Sequence, residues 1–266
     1  MKKMTKKLKK NTLKFAPPIL MFFIFFSLFG EKNEIFDKKG GLFSENRAFS
    51  HNEVLKYKIS YGRQGKRRGA LFAGNATLSI EDTALNDSTG IYLLKAFGKT
   101  RRLFSLIMNV EHNYYSSVEK KTLNTVKSEM KIREGKYTLK HDAKFQVNDS
   151  ILDILSVFYK LRCTPNTSIE KLDTLFFSYY YAGKIYKSHA IKNGTEKLTT
   201  KFGDIQTVQW SPLLEKGRIF KQKWGAKIWV TDNQMHIPIK LEIPILVGSI
   251  YVNLVSHENT IFELKK

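Results

Sequence analysis

The sequence predicts a mainly β protein: a large antiparallel sheet, strongly curved or rolled into an open barrel, with one packed helix. Three observations carry this. Between His236 and Ile245, the residues Ile237, Ile239, Leu241, Ile243 and Ile245 alternate with His236, Pro238, Lys240, Glu242 and Pro244. A period of two places the first set on a buried face and the second toward water. Aromatic residues, mostly Phe and Tyr, make up 13% of the 266 residues, a composition that favours strands. Only Asp149–Arg162 breaks the period, with Ile151, Leu152, Ile154, Leu155, Phe158 and Tyr159 at helical spacing.

At the N-terminus, Lys2, Lys3, Lys6, Lys7, Lys9, Lys10 and Lys14 precede Phe15–Gly30, which is apolar apart from Ser27. A basic head before a short apolar run is the pattern of a secretory signal. Gly30 offers a small residue for cleavage but Leu28 does not, so residues 1–30 are read as a signal peptide or an uncleaved anchor. Residues 31–52 are polar, with Gly40-Gly41, and read as a linker. A single β domain is expected over residues 53–266.

Its first strand is Glu53–Gly62, with Leu55, Tyr57, Ile59 and Tyr61 facing in. Arg63–Gly69 is a basic hairpin tip carrying Arg63, Lys66, Arg67 and Arg68. Phe72–Glu81 follows with Phe72, Gly74, Ala76, Leu78 and Ile80 inward, where the small residues imply close approach by another element or a cavity. After a turn at Asn86-Asp87-Ser88, Gly90–Thr100 ends in a second basic tip, Lys99, Arg101 and Arg102. Met108–Val118 is a strand with His112 and Tyr114 on its apolar parity, and Thr125–Arg133 and Tyr137–Val147 form a hairpin. The helix, capped by Asn148, Asp149 or Ser150, is apolar enough to lie against a sheet or plug a barrel mouth. Strands resume at Thr174–Tyr181, Lys184–Lys192, Glu196–Lys201 and Gly203–Trp210, with Asn193-Gly194 as a two-residue hairpin turn. Pro212 and Gly217 mark a connection, Arg218–Lys223 leads on, and Lys227–Thr231, the alternating stretch and Ile250–Leu254 make three antiparallel strands. Pro238 and Pro244 share a parity, so that strand has a free edge there or bends at both prolines. Asn259–Leu264 is a candidate final strand.

Chemistry is sparse. The net charge is +21, and seven of the 45 basic residues lie in residues 1–30, where there is no acid. The excess that remains attracts anionic lipid, polysaccharide or nucleic acid, but nucleic acid is separated from an exported protein and no base-stacking module is present. Cys163 stands alone, and the histidines have no metal-ligand spacing. No metalloprotease, phosphate-loop or nucleophile-elbow motif occurs. No catalytic residue, cofactor or metal is therefore assigned, and the protein is read as not an enzyme.

Two features point to binding. Tyr179, Tyr180, Tyr181 and Tyr186 with Phe176 and Phe177 put aromatics on both parities, which either line a pocket or pack a sheet on both faces. Tyr179, Tyr181, Tyr186, Phe158 and Gly74 are the candidate ligand-binding residues. Arg63, Lys66, Arg67, Arg68, Arg101 and Arg102 are a candidate basic rim, suited to lipid head groups or anionic glycan, or else solvated turns. The expected function is a binding module for a lipid-like or other apolar ligand. The alternative is a structural or assembly factor of the envelope acting by protein contact along the strand edge near Pro238.

The blocks VLKYKISYG, SILDILSVFYKLR, GKIYKSHAIKNGTEKLTTKFGDIQ and IWVTDNQMHIPIKLEIPILVGSI, in this order, resemble the domain-of-unknown-function 3108 family of exported bacterial proteins. The resemblance runs from about Asn52 to the C-terminus. It implies a mostly antiparallel β domain in the periplasm of a Gram-negative bacterium, held at the inner membrane if residues 1–30 stay attached. No catalytic residue carries over. His236 stands where relatives often have an arginine, and the tip at Arg63–Arg68 is longer than their usual turn. A curved sheet around one apolar helix is also similar, at the level of fold alone, to lipoprotein carriers of the Lol type.

Overall fold

A computed structural model describes residues 48–65, 69–86, 89–105, 109–146, 149–165, 170–171, 173–213, 225–245 and 247–264. The signal or anchor, most of the linker, Lys66, Arg67 and Arg68, the centre of the Asn86–Ser88 turn, Met108, Val147, Asn148, Gly217 and Arg218–Lys223 lie outside these residues.

The strands are β1 (Val54–Gly62), β2 (Leu71–Asn86), β3 (Thr89–Thr100), β4 (Val110–Glu119), β5 (Thr125–Glu134), β6 (Tyr137–Lys144), β7 (Thr174–Tyr181), β8 (Lys184–Thr200), β9 (Gly203–Pro212), β10 (Lys227–Thr231), β11 (Pro238–Pro244) and β12 (Ser249–Glu258). They form one twelve-stranded sheet in the order β6-β5-β4-β3-β2-β1-β12-β11-β10-β9-β8-β7. Every neighbouring pair is antiparallel. The two outermost strands are brought together, as expected for a sheet this large, which curls rather than staying flat. His141 Nε2 of β6 lies 2.8 Å from the Tyr180 hydroxyl of β7, and Phe145 meets the Tyr180 ring edge-on at 5.0 Å. Between them runs Ile151–Asp153: Thr125 N–H donates to Ile151 O at 2.8 Å and Tyr180 N–H to Leu152 O at 2.7 Å. The sheet is thus rolled into a barrel-like shape whose seam is closed by side chains and one short stretch of chain.

The alternation at the C-terminus does what its period requires. Ile237, Ile239, Leu241, Ile243 and Ile245 are all buried in the main core, with Leu55, Tyr57, Ile80, Leu94 and Val252 from other strands. Their partners are not all wet, however: Pro238 and Pro244 are buried, and His236 turns inward at φ +41°. Strand β11 has no free edge, since β10 and β12 flank it; Pro238 sits at a register shift opposite Val230 and Pro244 ends the strand. That is how a proline is tolerated within a sheet.

Among the described residues, the helices α1 (Arg102–Ser105) and α2 (Ile154–Arg162) lie outside the sheet. The start of α2 differs from the sequence expectation. Asp153 is the cap, not Asn148, Asp149 or Ser150: its carboxylate accepts from Leu155 and Ser156 N–H at 3.1 and 2.9 Å, and its own N–H meets Ser156 Oγ at 2.7 Å. This reciprocal box starts the helix about one turn later than the apolar spacing suggests. Asp149 instead closes a turn by accepting from Gln146 N–H. The first turn of α2 is held by Thr125 at the start of β5 and its last turn by Glu53 and Met235, so the helix crosses one mouth of the barrel.

Other departures have local causes. Asn193-Gly194 is a bulge in a continuous β8, with Gly194 at φ +129°, and not a hairpin turn. The turn falls at Ala182-Gly183, both left-handed. A register shift between Ile59 and Ser60 turns Phe72 outward, where Lys58 and Arg101 lie 4.9 and 5.0 Å from its ring. Residues Asn259–Leu264 form no strand. Ala48 and Phe49, expected in the linker, are buried, and Phe49 packs edge-on to Tyr159 at 5.3 Å.

Candidate functional site: an aromatic face beside the helix

The Ala182-Gly183 turn sets the β7–β8 register so that Tyr179 lies opposite Tyr186. With a period of two, Phe177, Tyr179, Tyr181 and Tyr186 then project to the concave side. Tyr179 and Tyr186 stack with ring centroids 5.7 Å apart at 20°, and Phe177 approaches Tyr179 at 6.4 Å. Tyr179 is buried, whereas Phe177, Tyr181 and Tyr186 are packed against the core but only partly buried. On α2, Phe158 is likewise partly buried and meets Tyr159 edge-on at 5.3 Å.

A polar string borders this face. The Tyr181 phenol lies close to that of Tyr114 on β4, and burial pushes the Tyr114 phenol well above its ordinary value. The His112 ring lies 6.3 Å from that of Tyr114, and its Nε2 is 2.9 Å from Glu134 Oε1. Rings for stacking and a few convergent hydroxyls suit an apolar or ring-bearing ligand. Sequence parity placed His112 and Tyr114 inward, but nothing local revealed that β7 would fold back to meet β4.

The other candidates fall elsewhere. Gly74 lies against β3, away from the aromatic face, and a Cβ there would run into the Lys99 carbonyl. Its small size serves close strand approach. Arg63, Arg101 and Arg102 are exposed, and the pairings Tyr61–Leu71 and Gly74–Thr100 put the β1–β2 tip and the end of β3 at the same end of the sheet. A separate open groove of about 370 Å³ is lined by Lys201, Phe202, His257 and Leu264 among others. Among the described residues, no group of His, Cys, Asp and Glu is placed to hold a metal ion. No helix among them is long and apolar enough to cross a membrane.

A charged cluster at the far end of α2 had no sequence signal. Arg162 binds Glu53 through both terminal nitrogens at 2.7 and 3.0 Å and donates from Nε to Met235 O at 3.1 Å. Burial draws the Arg162 pKa down, but the charge and hydrogen bonds of Glu53 overcome it and the net shift is upward. His236 donates from Nδ1 to Arg162 O at 2.7 Å. All three guanidinium nitrogens of Arg162 and the Nδ1 of His236 are committed to holding this end of the helix.

Residues 138–255, from β6 to β12, match the model of the family described as "Protein of unknown function (DUF3108)", a span that holds the last three of the four sequence blocks but not VLKYKISYG. No curated protein matches the chain. Among solved structures, the chain is similar to the crystal structure of a beta-barrel-like protein of domain of unknown function DUF1849 from Brucella abortus. The identity is 8%, the TM-score 0.42, and the match covers 79% of this chain and 98% of the other.

Proposed function

We propose that the protein is an exported, non-catalytic binding module that holds a lipid-like or other apolar ligand on the aromatic face between α2 and the β7–β8 hairpin. The single observation behind this reading is that Phe177, Tyr181 and Tyr186 of the β7–β8 hairpin, and Phe158 of α2, pack on the core with part of each side chain still reaching solvent. Export to the periplasm rests on the lysine-rich head and apolar run of residues 1–30, and the same segment provides membrane association where it is not cut. An assembly role by protein contact remains the competing reading, but the edge near Pro238 on which it relied is occupied by β10.

Native mass spectrometry of the full chain from a Gram-negative host tests the reading. Copurifying lipid is expected with the wild type and its loss with Tyr181→Ala/Tyr186→Ala. A bare protein in both cases overturns it.

A further inference from the structure

The end of the sheet that carries the basic tips also carries unexplained apolar side chains. Leu71 opens β2, Leu103 lies on α1 and Val247 lies in the β11–β12 turn. They are 63%, 73% and 68% exposed, whereas Phe104, the neighbour of Leu103, is buried against Tyr61 at 6.4 Å. The pairings Tyr61–Leu71 and Gly62–Ser249, with the Tyr61 hydroxyl donating to Val247 O at 3.0 Å, knit the three connections around one residue. Arg63 follows β1, anchored by the Tyr251 hydroxyl on its carbonyl at 2.7 Å, and Arg101 and Arg102 follow β3. Aliphatic side chains on three separate tips, set among exposed guanidinium groups, contribute nothing to the core. Scattered single apolar residues need no explanation, but three gathered at one cationic end do.

We infer that the end carrying Arg63, Leu71, Arg101, Arg102, Leu103 and Val247 docks on the surface of an anionic bilayer. The guanidinium groups meet lipid phosphates and the aliphatic tips enter the boundary between head groups and acyl chains. A soluble polyanion satisfies the arginines but leaves the three aliphatic side chains in water, so the combination favours a membrane. This surface is distinct from the aromatic face, and either assignment can fail without the other.

The test uses the full chain with an environment-sensitive fluorophore on a cysteine introduced as Leu103→Cys, and a control label at Lys121→Cys in the β4–β5 turn at the opposite end. Cys163 is buried and stays unlabelled. With vesicles of equal phosphatidylglycerol and phosphatidylcholine, a blue shift is expected at position 103 and none at 121. Because residues 1–30 bind membranes through their own apolar run, the position-specific shift is the readout, not sedimentation. Removal of Arg101 or Arg102 lowers the vesicle affinity of the labelled tip by about five-fold each, and Leu71→Asp/Val247→Asp abolishes the shift. Equal shifts at both labels, an unchanged label at 103, or a response to soluble polyanion but not to vesicles would each overturn the inference.

Discussion

Arg162 and Glu53 form a two-pronged ion pair with both side chains almost wholly out of water, linking the last turn of α2 to the residue before β1. The pair fixes the last turn of the helix across the barrel mouth.

Removing one partner leaves the other charge buried alone. Arg162→Met is expected to cost about 3–5 kcal/mol of unfolding free energy, measured by urea denaturation. The double variant Arg162→Met/Glu53→Leu should recover much of the loss, because no orphaned charge remains. A double variant as unstable as the single one contradicts this account of the pair.

Asp153 and His236 should give stability opposite slopes in pH. Burial pushes the Asp153 carboxyl above its ordinary 3.8, so its contribution is complete below that value and is lost as pH rises toward the folded-state pKa. Burial holds the His236 imidazole below its ordinary 6.5, so its contribution is complete above 6.5 and is lost as pH falls through the lower folded-state value. Asp153→Asn should remove a decline in stability above pH 3.8, and His236→Gln a decline below pH 6.5. Denaturation midpoints at intervals between pH 3.5 and 8 read both.

Gly74→Ala is predicted to lower stability by about 1–3 kcal/mol, since the added methyl meets backbone of β3 that cannot swing away. Retention of bound lipid by a refolded G74A sample is also expected, because Gly74 serves strand approach and not the aromatic face.

On that face, burial separates structural from ligand effects. Tyr179 is buried, and Tyr179→Ala should destabilise by about 3–5 kcal/mol. Tyr186, only partly buried, should cost less when changed to Ala while lowering lipid occupancy in native mass spectra. Equal stability losses would mean that Tyr186 is simply core.

The sheet was legible because its inward isoleucines keep strict parity from Ile237 to Ile245, and each register shift disturbs only one or two positions. The helix was legible as an apolar patch at 3.6-residue spacing, but its start was not: the D-x-x-S box at Asp153 and Ser156 outranks the earlier Asn148–Ser150 signals only because Thr125 of β5 reaches both. Asn193-Gly194 was misread because the same dipeptide suits a bulge, and the choice depends on β9 pairing across it. Burial of Glu53 and Arg162 left no trace, since an acid before a strand and an arginine at a helix end also suit solvent. The three aliphatic tips were invisible until the pairings brought them to one end.

Photo-crosslinking in cells tests most directly whether Phe158, Tyr181 and Tyr186 hold a lipid-like ligand. A benzophenone side chain is placed at position 186 on the concave face, and in a second sample at the exposed Phe97 on the outer face. Mass spectrometry of the tagged chain should find a lipid adduct at 186 and none at 97. An adduct with a protein at 186, or lipid at both positions alike, would contradict the account.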